Sequence, residues 1–384
     1  MRVLIAIDSF KGCMRSLEAG RAAEAGILRA DPEAQTVVRA LADGGEGTME
    51  ALVCSRNGCF RNTTVSGPLG EPRSCRWGML EDTRTAVIEM AEAAGLALVP
   101  ESDRNPLYTT TYGVGELIRQ AIEEGCRHFV IGIGGSATND GGVGMLQALG
   151  YDFLDEEGKP IPPGAAGLAG LRSISASRVI PELAQCRFRI ACDVTNPLCG
   201  PDGCSAVYGP QKGADPDQIV RMDRWLADYA RLAAEQFPHA DPNWPGAGAA
   251  GGLGFAFLTF TNAALESGVQ MVLEETRIED AAKDADLVLT GEGRLDGQTA
   301  MGKAPAGIAK LAKQYEKPVA ALAGSVKKEA SACHEQGIDA YFSILQKPAS
   351  LEEAMDRETA KANMADTAEE VYRLFACARR LSRQ

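Results

Sequence analysis

Apolar runs of five or six residues recur along the chain, with amphipathic stretches between them. RVLIAI (2–7), TAVIEM (85–90), FVIGI (129–133), FRIAC (188–192), DLVLT (286–290) and PVAAL (318–322) show no strict polar alternation. Strands buried on both faces read this way, because each face meets a helix layer. Between the runs, SLEAGRAAEAGILRA (16–30) predicts a helix with Ser16 as its N-cap. GVGELIRQAIEEG (113–125) sets Leu117, Ile118, Ala121 and Ile122 on one stripe and closes on Gly125. Ser350 with Glu353 predicts a capping box ahead of a long helical tail. KPIPPGAAGLAG (159–170) reads as a surface connection or hairpin, and DPNWPGAGAAGGLGFAF (241–257) as a loop entering an apolar helix. The alternation predicts an α/β fold with a mainly parallel sheet.

Composition narrows the class. At roughly 150 residues per domain, a chain of 384 residues predicts two or three domains. Hydrophobic residues make up 45% and charged residues 24%, enough for a full core. The net charge is -13 and no block of Lys or Arg occurs, so neither nucleic acid nor an anionic membrane is an expected partner. The 11 cysteines are an odd number without a C-x-x-C pair, which predicts a reduced, cytoplasmic chain without a disulfide frame. Asp8 interrupts the first apolar run, which therefore reads as a strand rather than a leader peptide. Nothing in the pattern speaks to oligomeric state.

The polar chemistry sits in five loops, each directly after an apolar run. They are DSFKG (8–12), ADGGEGT (42–48), IGGSATNDGG (133–142), CDVTNPLCG (192–200) with YGPQKGA (208–214), and TGEGRLDGQTAMGKAP (290–305). In open α/β sheets ligands bind outside the carboxyl ends of the strands, so such loops tend to converge. Lys11 can meet a phosphate or carboxylate, and Asp8 a metal or a proton. Asp43 and Glu46 flank a glycine pair at an expected helix start, where capping alone would also favour them. The 133–142 loop offers backbone N–H groups for phosphate, with Ser136, Thr138 and Asn139 as further donors and Asp140 for Mg²⁺. Asp193 ends a strand, with Asn196 and Lys212 close in sequence. The last loop gathers Glu292, Arg294, Asp296, Gln298, Thr299 and Lys303. GQTAMGKA (297–304) falls short of a P-loop, because Ala304 stands where a Mg²⁺-binding hydroxyl is needed.

What is missing also informs. The three histidines, His128, His239 and His334, lie outside these loops, and no G-x-S-x-G occurs. That argues against a histidine zinc site and a Ser-His-Asp hydrolase. Carboxylates, amides, hydroxyls and a few cations suit Mg²⁺ and phosphate oxygens instead. Two rivals remain. GIGGSA (132–137) fits G-x-G-x-x-A, with Asp152 about 20 residues on as a ribose-binding acid, so an NAD(P)-dependent oxidoreductase of a small hydroxy acid is one. A non-catalytic sugar-acid or nucleotide-binding module is the other.

Taken together, the loops resemble the class I bacterial glycerate kinase family. AIDSFKG, ADGGEGT, RNPLYTTTYGVGELI (104–118), IGGSATNDGG, CDVTNPL, GPQKGA, GAAGGLG and TGEGRLDGQTAMGK stand in that family's order from about residue 1 to 375. Cys13 stands where the family usually has serine, and Cys204 where it usually has alanine. The resemblance implies ATP- and Mg²⁺-dependent phosphorylation of D-glycerate, mostly to 2-phosphoglycerate. It also implies two α/β domains, one flavodoxin-like, with the active site in a cleft between them and the chain crossing from one to the other. Expected bounds are 1–60 plus 265–384 for the first domain and 61–264 for the second. On this reading Lys11 and Arg294 hold the substrate carboxylate, helped by Asp8, Ser9 and Gln298. ATP phosphates fall to Gly134, Gly135, Ser136, Asn139, Lys212 and Lys303. Mg²⁺ goes to Asp140 or Glu46, and Asp193 or Asp296 serves as the base, with Lys11 among the catalytic groups.

Overall fold

The computed structural model describes residues 1–381. Thirteen strands run in chain order as β1 (Arg2–Ile7), β2 (Gln35–Ala40), β3 (Cys59–Ser66), β4 (Pro72–Leu80), β5 (Thr85–Glu89), β6 (His128–Gly132), β7 (Asp152–Leu154), β8 (Ser173–Ser175), β9 (Arg187–Ala191), β10 (Ala263–Glu266), β11 (Leu287–Leu295), β12 (Val319–Val326) and β13 (Ala340–Ser343). The chain divides into two compact units. The first holds Met1–Asp43, Glu50–Arg56 and the residues from Val269 onward, and the second holds Gly44–Met49 and Asn57–Gly268.

The first unit is a five-stranded sheet in the order β2-β1-β11-β12-β13, with every pair parallel. Counted within the unit, that is 2-1-3-4-5, the flavodoxin-like order. Alternate residues of the strands feed two cores. Val3, Ile5, Ile7, Leu287, Leu289 and Leu322 pack with the helices Ser16–Ala30 and Arg357–Leu381. Leu4, Ala6, Val288, Val319 and Ala321 pack with Ile278, Ile308 and Ala309 on the other face. Two covered faces are why the strands read as unbroken apolar runs.

The second unit holds the sheet β10-β9-β6-β5-β4-β3. It is parallel from β10 to β5 and antiparallel through β4 and β3. One large core covers it, including Trp77, Phe129, Phe188 and Phe257. The Trp77 ring is fully buried and its Nε1 donates to Thr63 Oγ1 at 3.0 Å. A separate hairpin, β7-β8, includes Asp152.

Several local expectations need correcting. Ser16 does not cap its helix. Its hydroxyl donates to the Ile7 carbonyl at 2.6 Å and accepts from the Leu41 amide at 2.8 Å, tying together the ends of β1 and β2. The cap position is Arg15, whose amide donates to Glu18. Of the two readings of residues 159–170, a connection is present, joining β7 to β8, with 165–170 forming a 3-10 helix. The apolar helix Ala249–Phe260 is broken early, where Gly251 and Gly252 take positive φ. A Cβ at Gly251 would lie 2.1 Å from the Thr138 carbonyl, so only glycine lets this turn back the 133–142 loop. The Ser350 capping box is present, on the short helix Leu351–Met355 that precedes the long one. No helix of the described residues is long and apolar enough to cross a membrane.

Candidate active site

In the first unit the strand order reverses between β1 and β11, which is where ligands bind in sheets of this topology. Asp8 follows β1 directly, and Glu292 lies in β11 one residue past the last β1 pairing, Ile7 with Gly291. The Asp8 amide donates to the Gly291 carbonyl at 2.8 Å, which brings the two acids to the same crevice. Asp8 is 5% exposed. Burial pushes its pKa up to about 7, with the charges of Asp43 and Glu292 adding to the rise and the Ser9 amide and Lys11 opposing it. Glu292 is also raised, first by burial. Its Oε1 accepts a 2.5 Å bond from Thr299 Oγ1, and Lys303 partly offsets its rise. Lys11, Arg294 and Gln298 are exposed, and the Ser9 hydroxyl is buried without a partner.

Asp296 proves to be a cap. Its Oδ1 accepts from the Gln298 amide at 3.0 Å and its own amide donates to Thr299 Oγ1, starting the short helix Gly297–Ala300. Its Oδ1 is thus engaged at a helix start. The stretch 297–304 is split between that helix and the start of Ala304–Lys313, rather than forming one phosphate-cradling loop.

In the second unit three segments meet at the carboxyl ends of β5, β6 and β9. Gly44, at φ +90°, is the hub. A Cβ there would lie 2.8 Å from Ala191 Cβ and 2.7 Å from Gly268 Cα. A Cβ on Gly132 would lie 2.5 Å from the Gly44 carbonyl oxygen. The ADGGEGT turn is thus threaded against the ends of β6 and β9, and its glycines are there for backbone-to-backbone contact.

The 133–142 loop splits by burial. Gly134 and Gly135 are exposed, while Ser136 to Asp140 are buried. Ser136 is reached from below by Lys212, whose Nζ donates to Ser136 Oγ at 2.9 Å and to the Thr138 carbonyl at 2.6 Å. Lys212 is 2% exposed, and burial lowers its pKa to about 8. Both acceptors of this amine are protein groups. Asn139 is likewise buried, with Nδ2 donating to Ser205 Oγ at 2.8 Å.

Asp140 is corrected as a metal ligand. It has no exposed surface, and its carboxylate accepts from the Thr111 amide, Thr111 Oγ1 and the amides of Gly142 and Gly144. It organises the loop's return into the helix Val143–Ala148. That helix starts well after the glycines, so 132–137 is not a dinucleotide turn opening a helix. Asp152 pairs with Arg178 on the hairpin. Asp193 is exposed after β9, and its Oδ1 accepts from the Gly268 amide at 3.1 Å. Glu46 is exposed in the turn.

Asp43 and Glu292 were visible in the sequence without a role attached. Glu89, buried at the end of β5, was passed over altogether. The available signal was a carboxylate closing an apolar run, TAVIE.

Comparison with known proteins bears on all of these loops at once. The family model described as glycerate kinase family matches residues 3–376. The glycerate kinase of Bacillus subtilis (strain 168) is 48% identical over 356 residues, 93% of each chain. The glycerate 2-kinase of Escherichia coli (strain K12) is 47% identical over 355 residues, covering 92% of this chain and 93% of its own. A crystal structure assigned as glycerate kinase 2 from Salmonella typhimurium LT2 superposes with a TM-score of 0.90 at 44% identity, covering 99% of both chains. The chain belongs to the glycerate kinase family.

Proposed function

We propose that the protein is an ATP- and Mg²⁺-dependent kinase that converts D-glycerate to 2-phosphoglycerate. The observation that carries the reading is the buried neighbourhood of two acids, Asp8 and Glu292, at the first unit's switch point, in a chain of this family. Phosphoryl transfer asks for positioning and charge neutralisation. The glycerate hydroxyl oxygen bonds to the γ-phosphorus, the bond from that phosphorus to the ADP oxygen breaks, and the hydroxyl proton leaves to a base.

Asp8 suits the base. A buried carboxyl titrating near 7 can take that proton at neutral pH. Asp193, exposed at the end of β9, suits orientation of the hydroxyl. Lys11 and Arg294 are the exposed cations available for the substrate carboxylate, Arg294 as a bidentate fork. The amides of Gly134 and Gly135, with Ser136 held by Lys212, suit the ATP phosphates.

Mg²⁺ fits Asp43 and Glu292, hard oxygens whose mutual repulsion a cation would relieve, which leaves Asp8 free to take the proton. Among the described residues no three His, Cys, Asp or Glu side chains already form a metal cluster. An ion on two carboxylates would take its remaining ligands from substrate phosphates and water. When bound, Mg²⁺ would neutralise phosphate charge.

An ADP-coupled assay with D-glycerate, ATP and Mg²⁺ tests the reading. ADP release dependent on all three is expected, with phosphorus on C2 by NMR of the product. Release without glycerate dependence would refute it, and phosphorus on C3 would reassign the acceptor. Lys11→Ala and Arg294→Ala should each raise the glycerate KM about tenfold or more, since a charge-assisted bond contributes roughly 1.5–3 kcal/mol. A raised ATP KM with unchanged glycerate KM would move either residue to the phosphates.

A further inference from the structure

Glu89 has no part in the assignments above, yet it is a buried acid at the carboxyl end of a parallel strand. It is 8% exposed and stands beside Gly132, the last paired residue of β6. Gly132 in turn packs against the Gly44 carbonyl, as the 2.5 Å approach of its would-be Cβ records. Glu89 Oε1 accepts from the Met49 amide at 2.8 Å, and the Gly47 amide also donates to the carboxylate. Glu89 thus grips the 44–49 turn from the strand below, on either side of Thr48, whose buried hydroxyl has no partner.

Two N–H donors converge on this carboxyl group. A carboxylate supplies two acceptor oxygens; a glutamine would supply one and bring an NH₂ in place of the other. The charged groups facing Glu89 are both acidic: Glu92 on the helix Ala91–Ala94, and Glu46 in the turn itself. The cations of the neighbouring strand are engaged elsewhere, Arg76 stacking its guanidinium over the Phe60 ring. Arg73 Nε donates to the Glu92 carbonyl at 2.9 Å, and the Arg76 amide donates to the Glu92 carboxylate. Burial, with Glu92 and Glu46 behind it, brings Glu89 to a pKa of about 7.

We infer that Glu89 is a positioning residue for phosphoryl transfer, its carboxylate pinning the 44–49 turn beside the glycine loop that follows β6. It acts through the backbone amides of Gly47 and Met49 and does not touch substrate. The inference rests on the kinase reading for its kinetic arm only.

The test compares Glu89→Gln with wild type across pH. Above pH 7 the wild type carries the ionised, gripping form, and the variant should be slower in kcat by about ten- to a hundredfold, the cost of a small misplacement. The glycerate KM should change less than twofold. Toward pH 6 wild-type Glu89 is protonated, and the ratio of the two kcat values should shrink toward one. Asp8 shapes both profiles alike, so the ratio isolates Glu89. Hydrogen exchange of the 44–49 peptide at pH 8 should be faster in the variant, with peptides of β12 unchanged. Glu89→Asp, if Glu89→Gln does not fold, should keep the pH dependence at reduced kcat. A kcat ratio independent of pH, or unchanged exchange at 44–49, overturns the inference. Wild-type protein that releases no ADP from glycerate and ATP overturns the kinase reading instead, and the exchange arm still decides the grip.

Discussion

An Asp8→Asn enzyme should turn over at least about a hundredfold more slowly and yet be harder to unfold at pH 8. Both effects come from one feature, a carboxyl kept out of water next to two other acids. Asparagine keeps the shape and can accept the Ser9 amide, which donates to Asp8 Oδ1 at 2.6 Å, but it cannot take a proton from glycerate. The stability effect follows from the direction of the shift. Asp8 has a folded pKa of about 7 against a model value of 3.8, so the folded state holds its proton more tightly than the unfolded chain does. Below about pH 4 both states are protonated and the native state carries no penalty. As pH rises from 4 to 7 the unfolded chain releases its proton first, and stability falls. Above 7 the loss levels off, at an order of 2–4 kcal/mol for a shift of this size. Urea unfolding of both proteins at pH 5 and pH 8 reads this directly. The variant's advantage should widen with pH. A variant less stable than wild type at pH 8 would mean the crevice does not strain Asp8. Stability bought at the expense of activity is the general pattern where a site is built from mutually unfavourable groups.

Asp140→Ala should do the reverse and collapse the second unit. It would strip the acceptor from the Thr111 amide at 2.8 Å, Thr111 Oγ1 at 2.9 Å, the Gly142 amide at 3.1 Å and the Gly144 amide at 3.3 Å. Each buried donor left unmet costs about 1–3 kcal/mol, and whole domains are stable by only about 5–15 kcal/mol. The expected result is insoluble protein or a transition lowered by well over about 4 kcal/mol. Asp140→Asn keeps one acceptor and should fold with an intermediate loss. These outcomes separate the loop-holding role from a metal role. A metal ligand changed to asparagine would lower kcat and weaken Mg²⁺ dependence while leaving the unfolding transition in place. That pattern would return Asp140 to the metal.

The contrast between Asp8 and Asp140 explains why the loops were easier to find than the roles within them. Loop position is a local property. A glycine- and acid-rich segment after an apolar run is readable one strand at a time: Asp8, Gly132 and Asp193 lie at or just past carboxyl strand ends, and Glu292 lies in β11 just past its last pairing with β1. Role depends on which groups from distant segments share the space. Asp140 reads as a Mg²⁺ ligand until Thr111, 29 residues earlier, supplies two of its donors. Lys212 reads as a phosphate lysine until its amine is found beneath Ser136, 76 residues back in sequence. Asp296 reads as a base, and its Oδ1 is engaged by its own next turn. Glu89 does not register at all, because its meaning comes from Met49, 40 residues away.

By itself the sequence determined the α/β class, the order of the polar loops and the family those loops resemble. Each of these is written in short-range patterning: period, glycine placement and residue type after a strand. The strands β3, β4, β10 and β13 escaped that reading, since they carry mixed or short patterns. Only the tertiary structure decided which acids are buried beside other acids, and so have raised pKa values, and which are consumed by amide donors. Desolvation and hydrogen bonding depend on everything packed within a few ångströms, most of it distant along the chain.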